Sequence, residues 1–152
     1  MALSNKLDRQ LEDLWPNLSS EGYEVKSIAT ERYNCIAFAA DDPSVNWWPA
    51  ANEADGYWPI SQREVSLACF KEAFASLRYE ECGDGLEKDF EKIAIYVFDG
   101  LPTHAAKQLP DGRWKSKLGF EEDIEHNSVK AIEDEVCYGK AVLYMKRPIS
   151  NG

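Results

Sequence analysis

The sequence lacks the features that mark exported, membrane-spanning or nucleic-acid-binding proteins. Its first 15 residues contain no apolar segment of the kind found in signal peptides. No stretch approaches the roughly 18 apolar residues that cross a membrane. Lys and Arg number 17 against 27 Asp and Glu, so the formal net charge is -10, and the basic residues form no cluster. We therefore expect a cytoplasmic protein that binds neither nucleic acid nor membranes.

Common cofactor and metal motifs are missing as well. The chain has no P-loop, no GxGxxG fingerprint and no HExxH pair. It has only two histidines, and its four cysteines form no CxxC pair and match no zinc spacing. We therefore expect no cofactor and no metal site. Without an export signal, we also expect the cysteines to be free thiols, namely Cys35, Cys69, Cys82 and Cys137.

What remains is a chain of ordinary globular composition. Its 152 residues, 44% of them hydrophobic, suit one core, and we expect a single domain over residues 1–152. Helical patterns fill the first half and strand patterns fill the second half. This order predicts an α+β fold in which N-terminal helices pack on a C-terminal antiparallel β-sheet.

The first half predicts three helices. One begins with Ser4 as its N-cap and ends before Pro16. The second begins after Asn34, which is a plausible N-cap, and has a short apolar body. The third follows a capping box, S-x-x-E, formed by Ser61 and Glu64.

A loop over residues 43–60, which we call the Trp loop, separates the second and third helices and is unusually apolar. It contains three tryptophans, Trp47, Trp48 and Trp58, together with three prolines. Aromatic side chains line ligand pockets, so the loop is one candidate for a substrate-binding wall. The alternative is a satellite core beneath a long loop.

The second half predicts strands. Residues 93–98 are all apolar, which is typical of a central strand covered on both sides. Residues 104–118 predict a β-hairpin around a PDG turn, and residues 141–145 predict a last strand. We interpret the acidic stretch at 121–125 as a solvated face, followed by a short helix capped by Asn127 or Ser128.

Cys35 is the best candidate nucleophile among the four cysteines. It falls in the first turn of a predicted helix, where unpaired N–H groups and the helix dipole lower a thiol pKa. A cysteine nucleophile needs a nearby base, and His104 opens a predicted strand. The alternatives are that Cys35 is a core thiol and that His104 binds a backbone carbonyl. From the residues alone, Asp123 and His126 are further candidates to orient the His104 ring, if the acidic loop folds back.

Two segments resemble a known superfamily. Asn34-Cys35 at a helix start, together with KIAIYVFDGLPTHAAKQLPDGRW, resembles the papain-like fold of NlpC-type cysteine peptidases and amidases over residues 33–118. The same segments also resemble uncharacterised bacterial proteins. The papain-like resemblance implies that Cys35 is the nucleophile, His104 the base and Ser116 the third catalytic residue.

Two functions follow from these observations. The first is a thiol hydrolase acting on peptide or side-chain amide bonds, with substrate-binding residues Asn34, Trp47, Trp48 and Trp58. The second is a non-catalytic acidic binding protein of the immunity or adaptor type on the same scaffold, with a basic protein partner. An enzyme needs Cys35 accessible and acidic, whereas a binding protein can bury it.

Overall fold

A computed structural model describes residues 15–27, 33–42, 44–52, 54, 56–118, 122–134 and 138–149. Within them, a single seven-stranded antiparallel sheet carries short helices on both faces. An α+β fold with an antiparallel sheet is thus confirmed. The predicted helix after Ser4 lies outside the described residues, as does Cys137.

The elements follow one another along the chain as a short helix, a strand, two further helices and then six strands. The helices are α1 (Leu18–Glu21), α2 (Cys35–Ala39), α3 (Leu67–Ala75) and a 3₁₀-helix (Val129–Ile132). The strands are β1 (Tyr23–Ser27), β2 (Glu80–Cys82), β3 (Phe90–Phe98), β4 (Leu101–Gln108), β5 (Trp114–Lys117), β6 (Asp123–His126) and β7 (Lys140–Pro148).

The sheet has the strand order β1-β6-β5-β4-β3-β7-β2, and every neighbouring pair is antiparallel. β3 lies inside the sheet because its residues 93–96 are apolar on both sides and are fully buried. β3 pairs with β4 through a tight Asp99-Gly100 turn, as the sequence predicts.

Two hydrophobic cores lie on opposite faces of this sheet. We call the face covered by α2, α3 and the Trp loop the front face, and the face covered by α1 and the 3₁₀-helix the back face. Successive side chains of a strand point to opposite faces. Accordingly, Ile95 and Ala105 belong to the front core, whereas Tyr96 and Ala106 belong to the back core.

The N-cap of α2 is confirmed, and the predicted start of α3 is wrong. The Asn34 side chain accepts a hydrogen bond from the Ala37 N–H at 3.0 Å. α3 begins at Leu67, and Ser66 rather than Ser61 caps it by accepting from the Cys69 N–H. The predicted capping box fails because the Glu64 carboxylate accepts from Gln62 and Ser66 and not from the Ser61 backbone.

The acidic stretch contains a strand that the sequence pattern does not reveal. β6 lies between β1 and β5 and has Ile124 and His126 fully buried on the back face. The acidic residues beside them obscure the period of two that marks a strand. The following turn has Ser128 at the N-cap position of the 3₁₀-helix, without a side-chain capping bond.

Candidate functional site

The predicted nucleophile is buried in the front core. Cys35 is the first residue of α2 and is 6% exposed. Its Sγ lies 3.9 Å from the backbone oxygen of Thr103 on β4. The start of α2 therefore places the sulfur next to the backbone of β4, the strand that carries His104.

Burial dominates the ionisation of Cys35. Removal from water raises its pKa to about 11, although backbone N–H groups at the helix start and at Ala105, and the Lys117 charge, act in the opposite direction. The helix terminus is present as predicted, but its favourable effect is smaller than the desolvation cost. Cys35 is therefore a protonated thiol at neutral pH.

The predicted base lies on the other face of the sheet. His104 stacks on Tyr138 with ring centroids 4.1 Å apart, and it meets the edge of Tyr96 at 5.2 Å. Tyr96 and Tyr138 both belong to the back core, whereas Cys35 and Ala105, the residue after His104, belong to the front core. The β4 backbone therefore lies between the sulfur and the imidazole.

The absence of a hydrogen bond at His104 Nδ1 within the described part of the chain is consistent with the position of the β4 backbone between the sulfur and the imidazole. His104 Nδ1 is buried and has no hydrogen-bond partner among the described residues, the Cys35 thiol included. The prediction that Cys35 and His104 form a nucleophile–base pair is thus corrected. The cause is strand alternation, because His104 stands one position away from the residues of β4 that face Cys35.

Ser116 does contact His104, as the resemblance implies. His104 Nε2 lies 3.0 Å from Ser116 Oγ on β5. His126, an alternative candidate to orient His104, joins the same series through Ser116, because Ser116 Oγ lies 2.8 Å from His126 Nε2. His126 Nδ1 lies 2.7 Å from the Ser128 backbone oxygen. His104, Ser116 and His126 are all fully buried, and we call this series the His–Ser–His chain.

The Ser128 carbonyl at the end of the His–Ser–His chain fixes the direction of the hydrogen bonds in that series. A carbonyl only accepts, so His126 Nδ1 carries the proton and its Nε2 is the acceptor in a neutral ring. Ser116 then donates to His126 and accepts from His104 Nε2–H. His104 Nδ1 is left with a lone pair, which is the buried acceptor that lacks a donor.

Both histidines are held in the neutral form. Burial lowers the pKa of His104 well below its ordinary value, and the charge of a protonated His126 would lower it further. Burial lowers the pKa of His126 to about 4, against a smaller opposing effect of the Ser128 carbonyl. Such weak bases are poor acceptors for the proton of a thiol whose own pKa is raised.

The His–Ser–His chain lies where the β4–β5 ladder ends. These strands pair only at Lys107 with Lys115 and at Gln108 with Trp114. Beyond the first of these pairs, the bond between His104 and Ser116 links the two strands through side chains. The chain therefore acts as a buried polar seam within the back core.

Asp123 does not orient His104. Its strand neighbour Ile124 belongs to the back core, so Asp123 faces the front. There its carboxylate accepts a hydrogen bond from the Tyr33 hydroxyl at 2.8 Å, and it pairs in register with Lys117. The alternative orienting role for Asp123 is therefore corrected on the same geometric ground as the Cys35 pairing.

Asn34 joins the Trp loop to the start of α2. Its side-chain nitrogen donates to the Trp47 carbonyl at 2.8 Å, and its oxygen accepts from the Trp47 N–H at 3.1 Å. The Trp47 indole N–H donates to the Asp42 carboxylate at 2.9 Å. Asn34 and Trp47, two of the predicted substrate-binding residues, are thus engaged in holding the loop in place.

Trp48 and Trp58 pack on the same partner in the front core. Their ring centroids lie 5.6 and 4.9 Å from that of Phe70. Trp47 and Trp58 are buried and Trp48 is partly buried, so the loop mainly covers the core. Trp58 has a second environment, because it also lines a cavity of about 560 Å³.

The Trp loop and its neighbour Arg63 form that cavity. The described residues that line it are Val45, Asn46, Ala54, Gly56, Tyr57, Trp58 and Arg63. Sequence reasoning identified Trp58 but missed Asn46 and Tyr57, since no motif marks them. Their position next to the tryptophans was the available signal.

The described residues offer neither a ligand cluster for a metal ion nor a membrane-spanning helix. Within them, no three His, Cys, Asp or Glu side chains are grouped so as to hold a metal ion. None of the helices there is both long and apolar enough to span a membrane.

Comparison with known proteins assigns a family without an activity. The model of a domain family of unknown function, DUF7689, matches residues 24–146, and the chain belongs to this family. No curated protein and no solved structure matches the chain.

Proposed function

We propose that this member of the DUF7689 family is a non-catalytic acidic binding protein of the adaptor or immunity type, acting in the cytoplasm on a basic protein partner. The observation that carries the proposal is the placement of Cys35 and His104 on opposite faces of the sheet. Thiol catalysis requires a nucleophile within hydrogen-bond reach of its base. A binding protein has no such requirement and is free to bury both groups.

The ionisation of the two residues supports the same proposal. A hydrolase needs Cys35 as a thiolate, yet its pKa is raised to about 11. The pKa of His104 is well below its ordinary value, so transfer of the thiol proton to this ring is strongly unfavourable. The thiol hydrolase that the resemblance implies thus lacks both the geometry and the proton acceptor.

We further propose that the scaffold is a catalytically silent relative of the papain-like fold. The start of α2 packs against β4, and β4 and β5 carry the predicted His104 and Ser116. This order of elements supports the relation. The difference lies in which face of β4 carries the imidazole.

Charge supports a basic partner. With a formal net charge of -10, the chain attracts cationic surfaces and repels polyanions at moderate salt concentration. Association with such a partner weakens as salt screens the charges, over a Debye length of roughly 8 Å at physiological ionic strength.

The test is the rate at which iodoacetamide alkylates each cysteine as a function of pH, read by peptide mass mapping. We expect Cys35 to react only as fast as the whole chain unfolds, and the half-buried Cys82 to react sooner. His104→Gln should leave the Cys35 rate unchanged once it is corrected for the measured stability of the variant. Rapid alkylation of folded Cys35, with an apparent pKa below about 8.5 that His104→Gln raises, would restore the hydrolase and refute the proposal.

A further inference from the structure

We infer that the cavity beside the Trp loop binds an amide group, from an extended peptide segment or a small carboxamide, through the Trp58 indole N–H and the Asn46 side-chain oxygen. This inference rests on the proposed binding function and names its site and ligand class. It is argued from the construction of the cavity and from two buried polar atoms that have no partner.

The cavity has walls held by specific contacts. Two backbone hydrogen bonds of 2.9 Å join segments 46–48 and 56–58 in a parallel bridge. Gly56 is required where these segments meet, because a Cβ there would lie 2.9 Å from the Trp48 backbone oxygen. The Arg63 Nη1 donates to two loop carbonyls at 2.7 and 3.2 Å. The loop is therefore preorganised, which lowers the cost of binding.

Two residues in this wall carry unpaired polar atoms. Trp58 is 5% exposed, and its Nε1 donor has no acceptor among the described residues. The Asn46 Oδ1 acceptor likewise has no donor there. Trp47 shows the ordinary arrangement, since its indole N–H has a carboxylate partner. Unpaired buried polar atoms are uncommon and destabilising, so a ligand that pairs them is favoured.

The pair of orphan atoms selects the ligand chemistry. One is a donor and the other an acceptor, so the complementary group must offer both an acceptor and a donor. An amide does this with its C=O and N–H, whereas a carboxylate offers only acceptors and an ammonium only donors. The cavity volume of about 560 Å³ lies in the usual range for organic ligands.

Both orphan atoms are covered from water, so binding includes an adjustment of the cavity wall. Among the described lining residues the aromatic ones are Tyr57, which is 48% exposed, and Trp58, which is 5% exposed. We assign the adjustment to the more exposed Tyr57 side chain, which leaves the bridged backbone in place.

The experiment is an NMR titration of the ¹⁵N-labelled protein that follows the Trp58 indole N–H, assigned with Trp58→Phe. Three probes are matched around one phenyl group: N-acetyl-phenylalanyl-alaninamide, 3-phenylpropanamide and 3-phenylpropanoate. We expect saturable shifts of the Trp58 indole signal with the amides and at least tenfold weaker binding of the carboxylate. Tighter binding of the blocked dipeptide identifies a peptide ligand, and equal or tighter binding of the single amide identifies a small carboxamide.

Variants separate recognition from packing. Trp58→Phe removes the donor and should raise the Kd about tenfold, which corresponds to about 1.4 kcal/mol. Trp48→Phe is the control, because Trp48 packs on the same Phe70 but does not line the cavity, and its Kd should stay within twofold of wild type. If Trp58→Phe does not fold, Asn46→Ala tests the acceptor in the same way.

Three results would overturn the inference: no saturable shift with either amide, equal affinity for the carboxylate, or an unchanged Kd in Trp58→Phe or Asn46→Ala. None of these results bears on Cys35 alkylation. A reactive Cys35 refutes the proposed function, whereas failure of both amides to bind the cavity refutes only this ligand assignment.

Discussion

The two buried histidines should make the stability of this protein fall steeply between pH 6.5 and pH 5. Both rings are neutral in the fold and have lowered pKa values, whereas an unfolded chain binds protons at each ring near pH 6.5. The unfolded state therefore takes up more protons as the pH falls. The sign follows: stability is fully present above about pH 6.5 and is lost below it.

The magnitude follows from the pKa difference. For His126, with a folded pKa of about 4, linkage gives a loss of about 2 kcal/mol at pH 5 relative to pH 8. His104 contributes a loss of the same sign, because burial also lowers its pKa well below the ordinary value. Carboxylates do not mask the effect, since their ordinary pKa values of about 4 lie below this window.

The assay is urea unfolding at half-unit steps from pH 5 to pH 8, for wild type, His126→Gln and His104→Gln. Each variant removes one titrating group, so the pH-dependent loss should shrink in both, and in His126→Gln it should shrink by about 2 kcal/mol, whatever the stability of the variant at pH 8. A wild-type stability that is flat over this range would refute the reasoning. So would a loss of the same size in wild type and both variants.

Three further predictions follow from individual contacts and are checked by urea unfolding. Asn34→Ala removes the cap of α2 and both bonds to the Trp loop, and should cost about 2–4 kcal/mol; Asn34→Asp, which keeps the accepting oxygen, should cost less. Lys92→Met should cost about 2–3 kcal/mol, because this buried ammonium holds two loop carbonyls and a carboxylate, whereas Lys71→Met, at an exposed ion pair, should cost under about 0.5 kcal/mol. Gly139→Ala should cost more than about 3 kcal/mol, since its Cβ meets β3 backbone and its φ is +72°; Gly100→Ala, with φ +79° in open space, should cost about 1 kcal/mol. Equal costs within any of the three matched pairs would contradict the corresponding contact.

The sequence predicts local features of this fold more successfully than relations between strands. The Asn34 cap is readable because a short polar side chain precedes an apolar run. The contact between His104 and Ser116 agrees with the residue order that the papain-like resemblance implies. The face of the sheet on which His104 lies cannot be read from the sequence, because Ala105 and Ala106 follow His104 and are both small and apolar. Without an alternation of apolar and polar residues, nothing in the pattern distinguishes front from back.

Buried polar residues account for the other misses. Acidic residues hide the period of two in β6. His126 is fully buried there, where its ring contacts the Ser116 hydroxyl on β5 and the Ser128 backbone oxygen. The cavity residues Asn46 and Tyr57 belong to a loop whose parallel bridge has no sequence signature. Such positions depend on tertiary partners, which a single sequence does not specify.

The alternation along β4 has a consequence for how a thiol–imidazole pair could arise on this sheet. The side chain at position 105 already faces the core that holds the Cys35 sulfur, and the imidazole stands at the adjacent position. A slide of β4 by one residue would exchange the two faces and bring the ring to the thiol side. An imidazole on the thiol side therefore needs either this change of register or a histidine at position 105 itself. The difference between a paired and an unpaired thiol on this sheet is one of strand face, and it leaves the order of the strands unchanged.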